Sequence, residues 1–197
     1  MGNLEKLNEQ YYDEVSKNYS DETLSLDMTQ LYLPFLENIP DGGKILDAGC
    51  GPGRDSKYFL NKGYEVDAFD LSNEMVKLAS EYTGIKVQKK SFTEIDYVDI
   101  YDGIWCCASL LHIPSDQLRD VLTYLVAGLK KNGVLYASFK LRIFEGIRNG
   151  RFFNDMNQEK LSGYTPDTAK IINSWETQDV RKGRSGEYWL NVILKKH

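Results

Sequence analysis

The 197-residue chain reads as an α/β protein of three layers. A mostly parallel sheet of seven strands ends in a C-terminal antiparallel hairpin, and a helical N-terminal extension precedes it. Three observations predict this. Between Lys44 and Lys140, short apolar runs alternate with helix-period segments, the pattern of parallel strands joined by crossover helices. Gly49, Gly51 and Gly53 break the first apolar run immediately before a helix. From Trp175 onward the period changes to two, around a Gly183-Arg-Ser-Gly186 turn.

Taken in order, the first 40 residues form a helical cap. Leu4, Leu7, Tyr11 and Val15 keep helical spacing, as do Leu24, Met28, Leu31, Phe35 and Ile39. Pro40-Asp-Gly-Gly43 turns the chain into a first strand over 45–48. The helix after the glycines ends at Lys62-Gly63, and Tyr64–Phe69 forms a second strand that delivers Asp70. Ser72 suits the N-cap of the next helix, which runs to about Tyr82 and stops at Gly84. Strands follow over 85–89 and 103–108, the latter an unbroken small or apolar run of the fully buried type. Leu118, Val121, Leu122, Leu125 and Leu129 mark another helix, ended by Lys130-Lys131-Asn132-Gly133, and 134–140 is the fifth strand. Residues 141–163 show no period and form a glycine-punctuated insertion at the carboxyl edge of the sheet, where ligands bind in such folds. Trp175–Lys182 and Glu187–Leu194 complete the sheet, and one domain spans 1–197.

Composition narrows the class. A hydrophobic share of 42% and a charged share of 27% are those of a water-facing globular domain. The net charge of −5 disfavours a nucleic-acid or anionic-membrane partner. No long apolar span or secretory leader is present, and the oligomeric state leaves no trace in the sequence. Cys50, Cys106 and Cys107 are odd in number and lack metal spacing, so the reading is a reducing, cytoplasmic compartment and no metal.

The chemistry concentrates at Lys44-Ile-Leu-Asp-Ala-Gly-Cys-Gly-Pro-Gly-Arg-Asp-Ser56. A strand, a glycine turn and a helix N-terminus make a ligand cradle, because glycine admits close approach and the helix start offers unpaired N–H groups. Asp47 adds a carboxylate for a positively charged ligand group. A dinucleotide loop would read G-x-G-x-x-G; here Arg54 stands where the last glycine would be, and Asp47 would repel a pyrophosphate. Asp70, 21 residues beyond Gly49, sits at the tip of the adjacent strand, where it can accept both ribose hydroxyls of a nucleoside. Leu71 and Met75 would then lie beside the base, although a methionine at helical spacing also serves as plain core.

Asp47-Ala-Gly-Cys-Gly-Pro-Gly53 resembles the cofactor loop of class I S-adenosylmethionine-dependent methyltransferases, a Rossmann-like family that closes its sheet with an antiparallel pair. With Gly63-Tyr-Glu-Val-Asp-Ala-Phe-Asp70, the loop looks most like the small bacterial tellurite-resistance (TehB-like) branch, which acts on small molecules. The resemblance implies S-adenosyl-L-methionine as cofactor and S-adenosyl-L-homocysteine as product. It implies a cofactor site of Asp47, Gly49, Cys50, Gly51, Gly53, Arg54, Asp70, Leu71 and Met75. Ser91 and Phe92 join it at the adenine edge, and Cys107 after the fourth strand joins it beneath the sulfonium. Family members often close a Tyr-rich N-terminal helix over the cofactor, which makes Tyr11 and Tyr19 candidates and leaves Tyr12 to packing. No catalytic residue is assigned; Tyr11 and His112 are the candidates, although a lone histidine at a helix entrance, as His112 is, is more often structural. Arg142, Arg148 and Arg151 are read as a clamp for an anionic acceptor, or else as solvated loop charges. In-line transfer from an activated donor needs orientation and desolvation, and needs a base only for an acceptor that enters protonated. No Asn-Pro-Pro-Tyr motif of amino methylation follows the fourth strand. A protein that binds the cofactor without catalysis, and an NAD(P)-dependent oxidoreductase, are the competing readings.

Overall fold

A computed structural model describes residues 2–197. In chain order the elements are α1 (Asn3–Thr23), α2 (Thr29–Leu36), β1 (Lys44–Ala48), α3 (Arg54–Asn61), β2 (Glu65–Asp70), α4 (Asn73–Thr83) and β3 (Gln88–Lys89). They continue with β4 (Tyr101–Cys106), α5 (Ser115–Gly128), β5 (Leu129–Lys140), β6 (Glu145–Arg148), β7 (Arg151–Asn154), α6 (Gln158–Ser162), β8 (Ala169–Gln178) and β9 (Tyr188–Lys196). The main sheet is ordered β3-β2-β1-β4-β5-β9-β8. Its first five strands are parallel, and β9 runs antiparallel to both β5 and β8. The seven-stranded, mostly parallel sheet with its closing antiparallel pair is the fold that the alternation of periods predicts.

Each face of the sheet buries its own cluster. On one, α5 contributes Leu118, Leu122 and Leu125 against Ile104, Leu135 and Val192. On the other, α2 and α3 lay Phe35 and Phe59 against Ile45, Trp105 and Tyr136. Trp105 and Tyr136 stack at 3.9 Å between centroids, joining β4 to β5 by their side chains as well as their backbones. Ser72 caps α4 as expected, its Oγ accepting from the Met75 amide at 3.1 Å. Gly53 at φ 89° leads into α3; a Cβ there would meet Thr83 Cγ2 at 2.8 Å, so the glycine lets α3 close on α4.

The structure differs from the sequence reading in several details. The helix expected to end at Lys130-Lys131-Asn132-Gly133 stops at Gly128, so Leu129 and these four residues open β5 instead, and the fourth strand runs over 101–106 rather than 103–108. The third strand shrinks to two residues, because it is an edge that pairs only with Phe69 and Asp70, while Val87 turns inward to pack against Ala68 and Ala79. The terminal pair runs over 169–178 and 188–196, so its connection is longer than the glycine turn implied. The insertion is ordered: β6 and β7 form their own hairpin around Asn149-Gly150, both at positive φ, and α6 follows. Asn-Gly between strands is a strong hairpin signal, hidden here by the charges around it.

Gly103 on β4 lies beneath α2, and a Cβ there would fall 2.3 Å from Ile39 Cδ1 and 2.7 Å from the Phe35 ring. Gly103→Ala is therefore expected to cost about 1–3 kcal/mol by overpacking, read as a lower urea midpoint at unchanged m-value.

Candidate functional site

The cleft opens at the carboxyl ends of β1, β2 and β4. The loop after β1 turns through Gly49, Gly51 and Gly53, all at positive φ. Gly51 N–H donates to Asp70 Oδ2 at 2.8 Å, and Ser72 N–H donates to Asp70 Oδ1 at 2.9 Å. Each oxygen of this carboxylate therefore keeps a lone pair for a further donor. Burial raises the Asp70 pKa, and the N–H groups of Ser72 and Gly51 oppose that rise.

Beneath the loop, Asp55 is 6% exposed and accepts from four donors. Tyr32 OH lies at 2.6 Å, Arg54 Nε at 2.6 Å, Arg54 Nη2 at 3.0 Å and Trp105 Nε1 at 2.8 Å. Burial opposes its charge, but the Arg54 guanidinium and these hydrogen bonds hold its carboxyl below the ordinary range. Asp47, at 2% exposure, has the reverse fate. Burial, and next the charge of Asp55, push it up to about 8, so it holds its proton at neutral pH while Ser56 Oγ bonds it at 2.5 Å.

Helix α1 forms the outer wall. Its inward series is Glu5, Asn8, Tyr12, Tyr19 and Thr23, all lining the cleft. Glu5 accepts from Ser91 Oγ at 2.5 Å, Asp13 from Ser72 Oγ at 2.5 Å, and Asn8 Oδ1 from the Phe152 amide at 2.9 Å. Tyr12 OH lies 2.8 Å from His112 Nε2 and accepts from Arg151 Nη1 at 2.9 Å. His112 Nδ1 is 2.7 Å from the Phe152 carbonyl, which fixes the proton on Nδ1 and makes Nε2 the acceptor of the Tyr12 hydroxyl. Burial lowers the His112 pKa to about 4, with Arg151 adding to the effect against the Phe152 hydrogen bond.

The cavity so enclosed has a volume of about 120 Å³. Tyr19, Gly49, Cys50, Gly51, Arg54, Asp70, Leu71, Met75, Ser91, Phe92 and Cys107 line it, as does His112. Asp47 and Gly53 do not, because they lie beneath the loop as its supports. Tyr11 does not either: its ring stacks under the Arg151 guanidinium at 4.3 Å, while Tyr12 takes the inner position that the apolar period of α1 gave to Tyr11. Burial, and then Asp55, push the Cys107 thiol up to about 12, so it remains protonated. Arg142, Arg148 and Arg151 come together on the wall of an adjoining chamber. Of these, Arg148 is committed to Asp155 at 2.8 and 3.2 Å, and Arg151 to Tyr12. The sequence reading missed Tyr12 and Asp55, and also Arg181, which joins the adjoining chamber's wall while paired with Asp179; the one signal for Tyr12 is its helical register with Asn8 and Tyr19.

Residues 45–133 match a family described as a methyltransferase domain. An uncharacterized methyltransferase of Staphylococcus carnosus is 25% identical over 164 residues, which cover 78% of this chain and 79% of that protein. A putative methyltransferase of Bacillus subtilis is 31% identical over 116 residues, covering 53% of this chain and 47% of its own. The chain thus spans about half the length of that second relative. In fold it resembles the Burkholderia thailandensis 1,6-didemethyltoxoflavin-N1-methyltransferase with bound S-adenosylhomocysteine. That likeness has a TM-score of 0.77 at 20% identity and covers 100% of this chain and 91% of the other. Residues 45–133 thus match a methyltransferase domain, and the chain as a whole shares the fold of that solved structure.

The cleft offers a glycine cradle and, in Asp70, two carboxylate oxygens oriented by Gly51 and Ser72. A Cβ on Gly51 would project toward Tyr19 Cε1 at 3.8 Å, into the cleft, so glycine there keeps the space open. Among the described residues no helix is long and apolar enough to cross a membrane.

The raised pKa of Asp47 has a thermodynamic consequence. Folded Asp47 binds its proton up to about pH 8, whereas the unfolded carboxyl releases it near 3.8, so this residue makes stability fall as pH rises between those values. Urea titrations from pH 5 to 8 are expected to show that slope, and Asp47→Asn is expected to flatten it.

Proposed function

We propose that this protein transfers a methyl group directly, in line, from S-adenosylmethionine to a small-molecule acceptor. The observation that carries the reading is Asp70, whose two oxygens are oriented by Gly51 and Ser72 and left with free lone pairs facing the cleft. A nucleoside diol is the ligand that such a carboxylate suits. Leu71, Met75 and Phe92 supply apolar walls for the base, with Ser91 at its edge. Gly49, Cys50 and Gly51 give the close backbone approach, while Arg54 and Cys107 form the floor. Asp47 and Gly53 act from beneath by shaping the loop.

When bound, S-adenosylmethionine supplies a methyl group already activated on a sulfonium. The chain's own task is to orient the acceptor and exclude water, which Tyr12 and Tyr19 on α1 do by covering the cleft. The protonated Cys107 thiol does not compete with the acceptor for the methyl group. His112 is a positioning residue that holds the Tyr12 hydroxyl in place.

The finer placement belongs to the same proposal. The protein is a small cytoplasmic enzyme of the tellurite-resistance type, one domain with residues 1–40 as a cap and 141–163 as an insertion on the acceptor side. The loop sequence and the ordered β6–β7 hairpin beside the cleft support it.

S-adenosylmethionine and S-adenosylhomocysteine are expected to raise the melting temperature, and NADH is not. A shift with NADH alone would return the reading to an oxidoreductase. Binding without transfer of labelled methyl to any component of a cell extract would leave a non-catalytic cofactor-binding protein. Asp70→Ala is expected to weaken S-adenosylhomocysteine binding about tenfold by calorimetry, since hydrogen bonds to a charged acceptor are lost. Unchanged affinity would remove Asp70 from the site.

A further inference from the structure

Beside the cofactor cleft, and sharing Tyr12, Tyr19, Ala108 and His112 with it, lies a second chamber of about 250 Å³. Its wall carries six cationic side chains, Lys140, Arg142, Arg148, Arg151, Arg181 and Arg184, against one carboxylate, Glu187. The whole chain has a net charge of −5, so this concentration is local. Part of the charge is balanced from behind: Asp155 holds Arg148, and Asp179 holds both Lys140 and Arg181. The rest is not. Arg142 enters no salt bridge among the described residues, and Arg184 reaches Glu187 only at 3.7 Å. The Nε of Arg151 is a buried polar atom without a hydrogen-bond partner. A chamber with this surplus selects an anion.

The same wall offers no group free to take a proton. Both nitrogens of His112 are engaged, one with Tyr12 and one with the Phe152 carbonyl. Glu187 is tied to Lys140. Behind the wall, Asp179 accepts from Lys140, Arg181 and Trp189. Although burial opposes charge on both acids, these hydrogen bonds hold Asp179 and Glu187 below the ordinary carboxyl range, which makes them weak bases. An amine, phenol or thiol acceptor carries a proton at neutral pH and would need such a base. A carboxylate, ionised above a pKa of about 4, does not.

We propose that the acceptor is a small organic carboxylate held in this chamber and methylated on a carboxylate oxygen. The proposal rests on the methyl-transfer reading above. One oxygen lone pair forms the new O–C bond to the methyl carbon while the C–S bond breaks and its electron pair stays on sulfur. The carboxylate and the sulfonium both become neutral, and no proton is taken up or released. The product ester has lost the charge that the arginines hold, which favours its departure.

The test incubates the full chain and S-adenosylmethionine labelled in its methyl group with the protein-free small-molecule fraction of a cell extract. Total transferred label is counted, and then the part released as volatile methanol in mild alkali. The expected result is that most transferred label is alkali-labile and that an indicator dye registers no proton release per turnover. Arg142→Gln with Arg184→Gln is expected to lower transfer about tenfold while the calorimetric Kd for S-adenosylhomocysteine stays unchanged. Transferred label that is alkali-stable, with one proton released per turnover, would overturn the carboxylate and leave the methyltransferase reading standing. Absence of transfer to any component would overturn both.

Discussion

A carboxylate keeps its charge inside a protein only if donors surround it, and Asp55 satisfies that condition with groups from three elements. Tyr32 comes from α2, Arg54 from α3 and Trp105 from β4, so one buried anion ties the N-terminal cap, the helix after the glycine loop and the central strand together. The rest of the site follows from it. Arg54 is held against the cleft floor rather than free to swing, because its guanidinium is shared with Asp55 at two points. Asp47, close behind, cannot hold a second charge and keeps its proton. Trp105, pinned at its ring nitrogen, stacks on Tyr136 and carries the order onward to β5. The glycine loop therefore rests on a rigid polar base, while its open face is organised by Asp70.

Helix α1 is the other unusual element. Its buried residues are Asn8, Ser16, Ser20 and Thr23, with no large apolar side chain among them. A helix that packs on a core shows an apolar stripe. This one is attached to the rim by hydrogen bonds and ion pairs, among them Glu9 with Lys89 at 2.6 Å and Asp13 with Ser72. A polar inner face suits a wall that looks onto a polar ligand, and it places Tyr12 where the cofactor cleft meets the cationic chamber.

Much of this was legible in the chain itself. Alternating strand and helix periods reveal a mostly parallel sheet, because strands joined by crossover helices admit few arrangements. The glycine spacing and Asp70 mark the cleft, since backbone geometry and a strand tip are local properties. What stayed hidden depends on long-range contact. Asp55 reads as an ordinary first-turn acid until Tyr32 and Trp105, 23 and 50 residues away, close on it. The apolar residues of α1 point to Tyr11, whereas the inner face of the helix is polar and carries Tyr12. Asp47 has the residue type for a ligand contact, but burial turns it into a support. The arginines of 141–163 lie together as their pattern suggested, yet which of them are free is decided by Asp155 and Tyr12, which no spacing reveals.

The central claim is that the loop over Asp55, the carboxylate of Asp70 and the inner face of α1 form one nucleoside-binding surface. Amide hydrogen exchange with and without S-adenosylhomocysteine tests it most directly. The account predicts slowed exchange at residues 49–54, 70–75 and 91–92 and along the inner face of α1. Unchanged exchange at the loop and at Asp70, or protection confined to 140–155, would contradict it.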